Sequence, residues 1–66
     1  MNITVNGEPQ ALADGSTLAQ LVEARLPSTR GVAAAVDGTV APRTGWTEFV
    51  LRDGQAVELL TATQGG

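Results

Sequence analysis

The chain has no cysteine, no histidine, no lysine and no tyrosine. Without His, the commonest general acid–base group is missing. Without Cys there is no thiol nucleophile, no side-chain thioester or persulfide carrier, and no disulfide. With neither residue there is no structural zinc site of the usual kind. Without Lys, Schiff-base chemistry is excluded. Basic charge is scarce as well: four arginines face seven acids, for a net charge of −3 and a pI near 4.4. That balance argues against nucleic acid or an anionic membrane as a partner, and it suits a protein with a basic docking surface. No apolar run is long enough to span a bilayer. Met1 opens a strand-like pattern with no basic n-region and no signal-peptide core, so a cytoplasmic location is expected.

What is present is 66 residues, 42% of them hydrophobic. That is one domain with one small core, and a chain of this size buries only roughly 60% of its unfolded surface. It leaves little room for a catalytic cleft of several hundred Å³. The chemistry has to lie elsewhere than in a cluster of reactive side chains.

The pattern along the chain is legible. Met1, Ile3 and Val5 alternate with Asn2, Thr4 and Asn6, the period of a half-buried strand. Asn6-Gly7 is a strong two-residue hairpin signal, and residues 8–12 return, with Pro9 demanding an edge position or an unpaired site. Thr17 and Gln20 have capping-box spacing, with Ser16 as the competing cap. Leu18, Leu21 and Val22, with Arg25/Leu26, follow a helical period to Pro27, which predicts a helix over about 17–26 with Gln20 and Glu23 outward. Val32 to Val36 read as a short strand, Asp37-Gly38 as a turn, and Thr39 to Ala41 as its return. Residues 42–46 are irregular, residues 47–51 weakly extended, and Asp53-Gly54 is a third hairpin-type turn. Ala56 to Thr61 form the last strand. One helix and three Xaa-Gly turns in so short a chain predict an α+β fold with the helix across one face of a sheet.

Residues 62–66 carry no apolar anchor and end in Gly65-Gly66. Two terminal glycines occur by chance in roughly one chain in 200. One account of them is a frayed end. The other is chemical. A free α-carboxylate is a poor electrophile; joined to AMP it becomes a mixed anhydride that a sulfur nucleophile attacks. The activating site must hold the carboxylate in line with an α-phosphate. Glycines pass close to walls and nucleotide and take whatever φ/ψ the site imposes. Five extended residues span on the order of 17 Å, enough to enter a recessed pocket. Gly66 is then the residue that carries the covalent group, and Thr63, Gln64 and Gly65 form the tail that the partner grips. The absence of Cys and Lys fits, since no side chain of the same chain can capture the activated end.

On Ile3-Thr4-Val5-Asn6-Gly7-Glu8, the helix around Leu18–Leu21, Val36 with Gly38, Pro42-Arg43 with Trp46, Asp53-Gly54 with Val57-Glu58, and Gly65-Gly66, the chain resembles the ThiS family over essentially its full length. These are the sulfur carriers of thiamin thiazole biosynthesis. The resemblance implies a ubiquitin-like β-grasp fold: a mixed sheet of four to five strands, the first and last parallel at its centre, one helix across one face, a domain over 1–61 and a flexible tail over 62–66. It implies a carrier rather than an enzyme, a monomer when free, with no bound cofactor. It also implies that Gly66 is adenylated by an E1-like (ThiF-type) enzyme that uses ATP. Sulfur then comes from a cysteine desulfurase, and the thiocarboxylate delivers it to a ThiG-type thiazole synthase. Asp37 stands where the family often has Asn, and Gln55 where it often has Asp; the first suits the turn equally, and the second lies beside a turn where partner contacts are at stake.

Other functions fit the same features. A carrier of the same chemistry for another product is one, such as the small subunit of molybdopterin synthase or a cysteine-forming carrier. A ubiquitin-type modifier or plain binding module is another. The candidate docking residues are Leu60, pointing outward if Val57 and Leu59 face the helix, with Val50 on a neighbouring strand, and Arg43 towards an acidic partner group. Arg43 is alternatively a solvated charge. Trp46 is either an interface anchor or a residue packed over the core edge. Asp14, Asp37 and Asp53 lie in separate turns rather than one ligand loop, so they are turn-formers and not a calcium site.

Overall fold

The computed structural model describes residues 1–62. The described residues form β1 (Asn2–Val5), β2 (Glu8–Ala11), α1 (Leu18–Arg25), β3 (Val32–Val36), β4 (Thr39–Ala41), a 3₁₀ turn (Arg43–Gly45) and β5 (Ala56–Thr61). The strands make one sheet in the order β2-β1-β5-β3-β4. β1 and β5 run parallel, and the other neighbours antiparallel. The last strand therefore occupies the centre, beside the first. β2 is an edge strand, which accommodates Pro9 opposite Thr4.

The turns are built as their residues dictate. Asn6 and Gly7 have φ of 51° and 84°, and Asp37 and Gly38 have 51° and 83°. These are the paired left-handed conformations of a hairpin turn whose twist matches its strands. Asp37 does more than turn. Its N–H donates to Ala56 O at 2.8 Å, and its Oδ1 accepts from Ala56 N at 2.9 Å. The carboxylate thus fills the role an Asn oxygen would.

The helix starts on the expected capping box: Gln20 N donates to Thr17 Oγ1, and Thr17 N to Gln20 Oε1. Ser16 is not the cap; its hydroxyl donates to Ala13 O. Leu18, Ala19, Leu21 and Val22 are buried, while Gln20 and Glu23 face out. The helix stops because Leu26, extended at φ −128° and ψ 145°, precedes Pro27, whose ring excludes the helical region for its neighbour. The inward stripe packs on Ile3, Val5, Val36, Val57 and Leu59 from the sheet. No polar side chain is buried among the described residues.

Two expectations need correction. Residues 47–51 are not a strand; only Val50 forms an isolated bridge, to Thr17. Their backbone is used at the helix start instead. Leu18 N donates to Phe49 O at 2.8 Å, Ala19 N to Trp46 O at 3.1 Å, and Leu51 N to Ser16 O at 2.9 Å. With Gln20 N on Thr17 Oγ1 and Thr17 N on Gln20 Oε1, all four donors that a helix N-terminus leaves open are satisfied, and the first i→i−4 bond of the helix follows from Leu21 N to Thr17 O. Asp53-Gly54 is also no hairpin, since no strand precedes it; only Gly54 has positive φ, 86°. This turn clamps the start of β1: Gly54 N donates to Asn2 O, and Asn2 N to Asp53 Oδ1.

Trp46 settles inside. It is 2% exposed, and its Nε1 donates to Ala41 O at 2.7 Å. The indole fills the core while its one polar atom finds a carbonyl. Full burial removes it as a docking residue.

Candidate functional site

Alternation along β5 sets two different surfaces. Val57 and Leu59 are buried against the helix, and Glu58 and Leu60 point the other way. The register places Leu60 opposite Ala33, and Glu58 opposite Ala35. Ala35 in turn lies opposite Val40. Leu60 and Val40, 70% and 72% exposed, thus share the uncovered face of the sheet with small alanines between them and one charge, Glu58. Val40 was not among the residues the sequence singled out. Its side follows from the Asp37-Gly38 hairpin, which pairs Val36 with Thr39 and so Ala35 with Val40.

The other two docking candidates lie elsewhere. Val50, 52% exposed, is not on a strand beside Leu60. It bridges Thr17 at the helix start, and the strands flanking β5 are β1 and β3. Arg43 is exposed on the 3₁₀ turn and is not simply solvated, because its Nη1 donates to Thr29 O at 3.2 Å. Leu60, Val50 and Arg43 therefore do not make one patch.

β5 is held on both sides as far as Leu59, and by β3 alone to its end. On the β3 side the ladder runs to Thr61 opposite Val32. On the β1 side the backbone of the first strand has already turned away, and the Asn6 side chain substitutes for it. Leu59 N donates to Asn6 Oδ1 at 2.8 Å, and Asn6 Nδ2 donates to Leu59 O at 3.3 Å. Ala62, the first residue of the expected tail, still donates to Gly31 O at 2.7 Å. Thr63, Gln64, Gly65 and Gly66, and with them the expectation of a flexible tail, lie outside the described residues. The Gln55 departure has a local cause: its Oε1 accepts from Arg52 N at 2.7 Å and closes the turn before β5. Among the described residues, no group of three or more His, Cys, Asp or Glu is placed to hold a metal ion.

A five-stranded mixed sheet with parallel first and last strands, one helix across it, and the last strand leading out to a Gly-Gly end defines a ubiquitin-like β-grasp protein of the carrier class. The model of the ThiS family matches residues 3–66. The chain is 29% identical over 66 residues to the sulfur carrier protein ThiS of Escherichia coli (strain K12), covering all of both chains. The crystal structure of the thiamine biosynthesis protein ThiS from Geobacter metallireducens is similar to it with a TM-score of 0.84 and 32% identity, again over all of both chains. A solution structure of a thiamine biosynthesis protein from the same organism has a TM-score of 0.81 and 32% identity, covering 100% of this chain and 88% of that one. The chain belongs to the ThiS family.

Proposed function

We propose that Gly66 is the residue on which this chain carries sulfur, and that its α-carboxylate is the reacting group. The chain is a sulfur carrier protein of thiamin biosynthesis and not an enzyme. The observation that carries the assignment to Gly66 is that the family match runs through the terminal Gly65-Gly66, in a chain with no Cys, His or Lys to offer another covalent site.

The reaction balances without help from any side chain of the carrier. A carboxylate oxygen of Gly66 attacks the α-phosphorus of ATP and pyrophosphate leaves. A hydrosulfide-equivalent nucleophile then attacks the acyl carbon, AMP leaves, and a thiocarboxylate remains. The activating partner has to supply the nucleotide site. The α-helix among the described residues offers no anion cradle, because its four N-terminal donors are already bound within the protein. In this mechanism ATP is bound and used by the partner, and the carrier needs no cofactor of its own.

The partners are enzymes of the thiamin pathway. In this mechanism they are an E1-like adenylyltransferase of ThiF type, a cysteine desulfurase as sulfur source, and a thiazole synthase of ThiG type as acceptor. The globule docks through the open sheet face around Leu60, the large apolar side chain nearest in sequence to the tail on that face, and Thr63, Gln64 and Gly65 thread into the activating site. An exposed leucine among alanines is a low-entropy contact that leaves the core untouched. The work is cytoplasmic, consistent with the ATP requirement.

The test is the intact mass after incubation with ATP, a ThiF-type enzyme and sulfide. A gain equal to sulfur replacing one oxygen is expected for the full chain and not for a chain lacking Gly66. The same gain in the truncated chain would remove Gly66 from the mechanism.

A further inference from the structure

The loop entering β3 ties down the residue from which the tail departs. Gly31 O accepts from Ala62 N at 2.7 Å, one step beyond the last ladder pair, Val32 with Thr61. Gly31 has φ +70°, and a Cβ built on it lies 3.3 Å from the Ala62 Cβ and 3.9 Å from the Ala62 nitrogen. A side chain there would be strained by its backbone, and it would also push Ala62 by a few tenths of an ångström. The loop itself is braced from behind. Thr29 O accepts both Val32 N, at 3.3 Å, and Arg43 Nη1, at 3.2 Å, while Arg30 N donates to Ser28 Oγ.

We propose that Gly31, braced by Arg43 through Thr29, is a positioning residue for the carrier's reaction: it pins Ala62 so that the tail leaves the sheet from a fixed point and in a fixed direction. This rests on the assignment of the reaction to Gly66. Gly31 touches no reacting atom and acts through Ala62. If Ala62 is released from the sheet, the activating partner must order it again, and fixing one residue's backbone corresponds to about a 5- to 30-fold change in an equilibrium constant. Docking through the sheet face happens upstream of this step, so the loss falls on turnover rather than on apparent affinity.

Gly38 supplies a matched control. It has the same kind of backbone, φ +83°, at the opposite end of β3, and a Cβ there meets nothing within 4 Å. ATP–pyrophosphate exchange by a ThiF-type enzyme is measured with wild-type carrier, Gly31→Ala and Gly38→Ala. Gly31→Ala is expected to lower kcat about tenfold with KM for the carrier within about twofold, and Gly38→Ala to change neither. Adding Ala62→Gly to Gly31→Ala removes the colliding methyl and should restore part of kcat. Hydrogen exchange at the Ala62 amide of the free protein, corrected for global stability, should speed up about tenfold in Gly31→Ala and stay at the wild-type rate in Gly38→Ala. Arg43→Gln, at an exposed site, should shift both readouts the same way by less, and it decides the matter if Gly31→Ala does not fold. Equal kcat for the two alanine variants, or an unchanged Ala62 exchange rate, overturns the proposal. Wild-type carrier that supports no exchange reaction at all would instead sink the assignment to Gly66, and amide exchange would still decide whether Gly31 pins Ala62.

Discussion

The two faces of one sheet differ more than their sequences suggest. Ala34, Val36, Val57 and Leu59 are buried beneath the helix, and Ala33, Ala35, Glu58 and Leu60, each one position away, look into solvent or lie half-covered. The covered face uses branched side chains and closes on Trp46. The uncovered face carries one charge, Glu58, among small and apolar side chains, and no described residue covers it. The first face is given to stability, and in the proposed function the second is the one that meets a partner. Removing groups one at a time separates these roles, and the expected losses of folding stability fall in a clear order.

The largest loss belongs to Trp46→Ala. It empties the largest side-chain volume in the core and deletes the bond to Ala41 O, for about 3–5 kcal/mol in urea denaturation. A typical domain holds only about 5–15 kcal/mol in total, so this variant should be partly unfolded at 37 °C. A loss below about 1 kcal/mol would mean that the indole is an exposed anchor after all, and the contrast between the faces would weaken.

Asn6→Ala comes next. Asn6 joins the turn to the far end of the chain, 53 residues away, through both the N–H and the C=O of Leu59. Removing it strands two partly buried backbone groups and places Ala at φ 51°, for about 2 kcal/mol. Amide exchange should rise most at Leu59. Uniform exchange across β5 would show that β3 alone holds the strand.

Asn6 also marks where the sequence stops being readable. Asn-Gly predicts the turn because the turn requires positive φ, a local property. It does not reveal that the side chain will replace a strand, because that depends on which strand arrives alongside. The same division holds elsewhere. The alternation of Ile3 and Val5, the capping box and the inward Val57 and Leu59 were all legible, each being a periodicity or a short-range bond. The strand order came from family resemblance and not from pattern. Residues 47–51 looked extended because their composition is β-like, yet the Phe49 carbonyl and the Leu51 N–H, with the neighbouring Trp46 carbonyl, bond to the helix start. Gly31 looked like any loop glycine; its φ of +70° is a local matter, but its close approach to Ala62 is not. Of the proposed site, Gly66 rests on chemistry and resemblance and lies outside the described residues; the outward side of Leu60 was legible by parity, and Val40 was missed although the same parity argument reaches it.

Thr17→Ala removes one half of the capping box. Gln20 N loses its acceptor, and about 1 kcal/mol should go. The neighbouring donors on Leu18 and Ala19 keep the Phe49 and Trp46 carbonyls, so the helix should shorten by no more than its first residue. Circular dichroism at 25 °C should be close to wild type while the urea midpoint falls. A much larger loss would mean that the 46–51 segment depends on the cap, and not the reverse.

Leu60→Glu sits at the bottom of the stability order and is the sharpest test of the comparison. The side chain is 70% exposed, so folding stability should change by no more than about 0.5 kcal/mol. Binding to a ThiF-type partner should nevertheless weaken about tenfold or more, because a charge replaces an apolar contact at a desolvated interface. Val40→Glu, equally exposed but two strands away on the edge strand β4, measures how far the docking patch extends. Weakening by both variants makes the whole uncovered face the interface. Weakening by Leu60→Glu alone confines it to the strand that leads to the tail, where a contact can also direct residues 63–66 into the activating site. If neither variant weakens binding, the uncovered face is not where the partner docks, and the division of labour between the two faces fails.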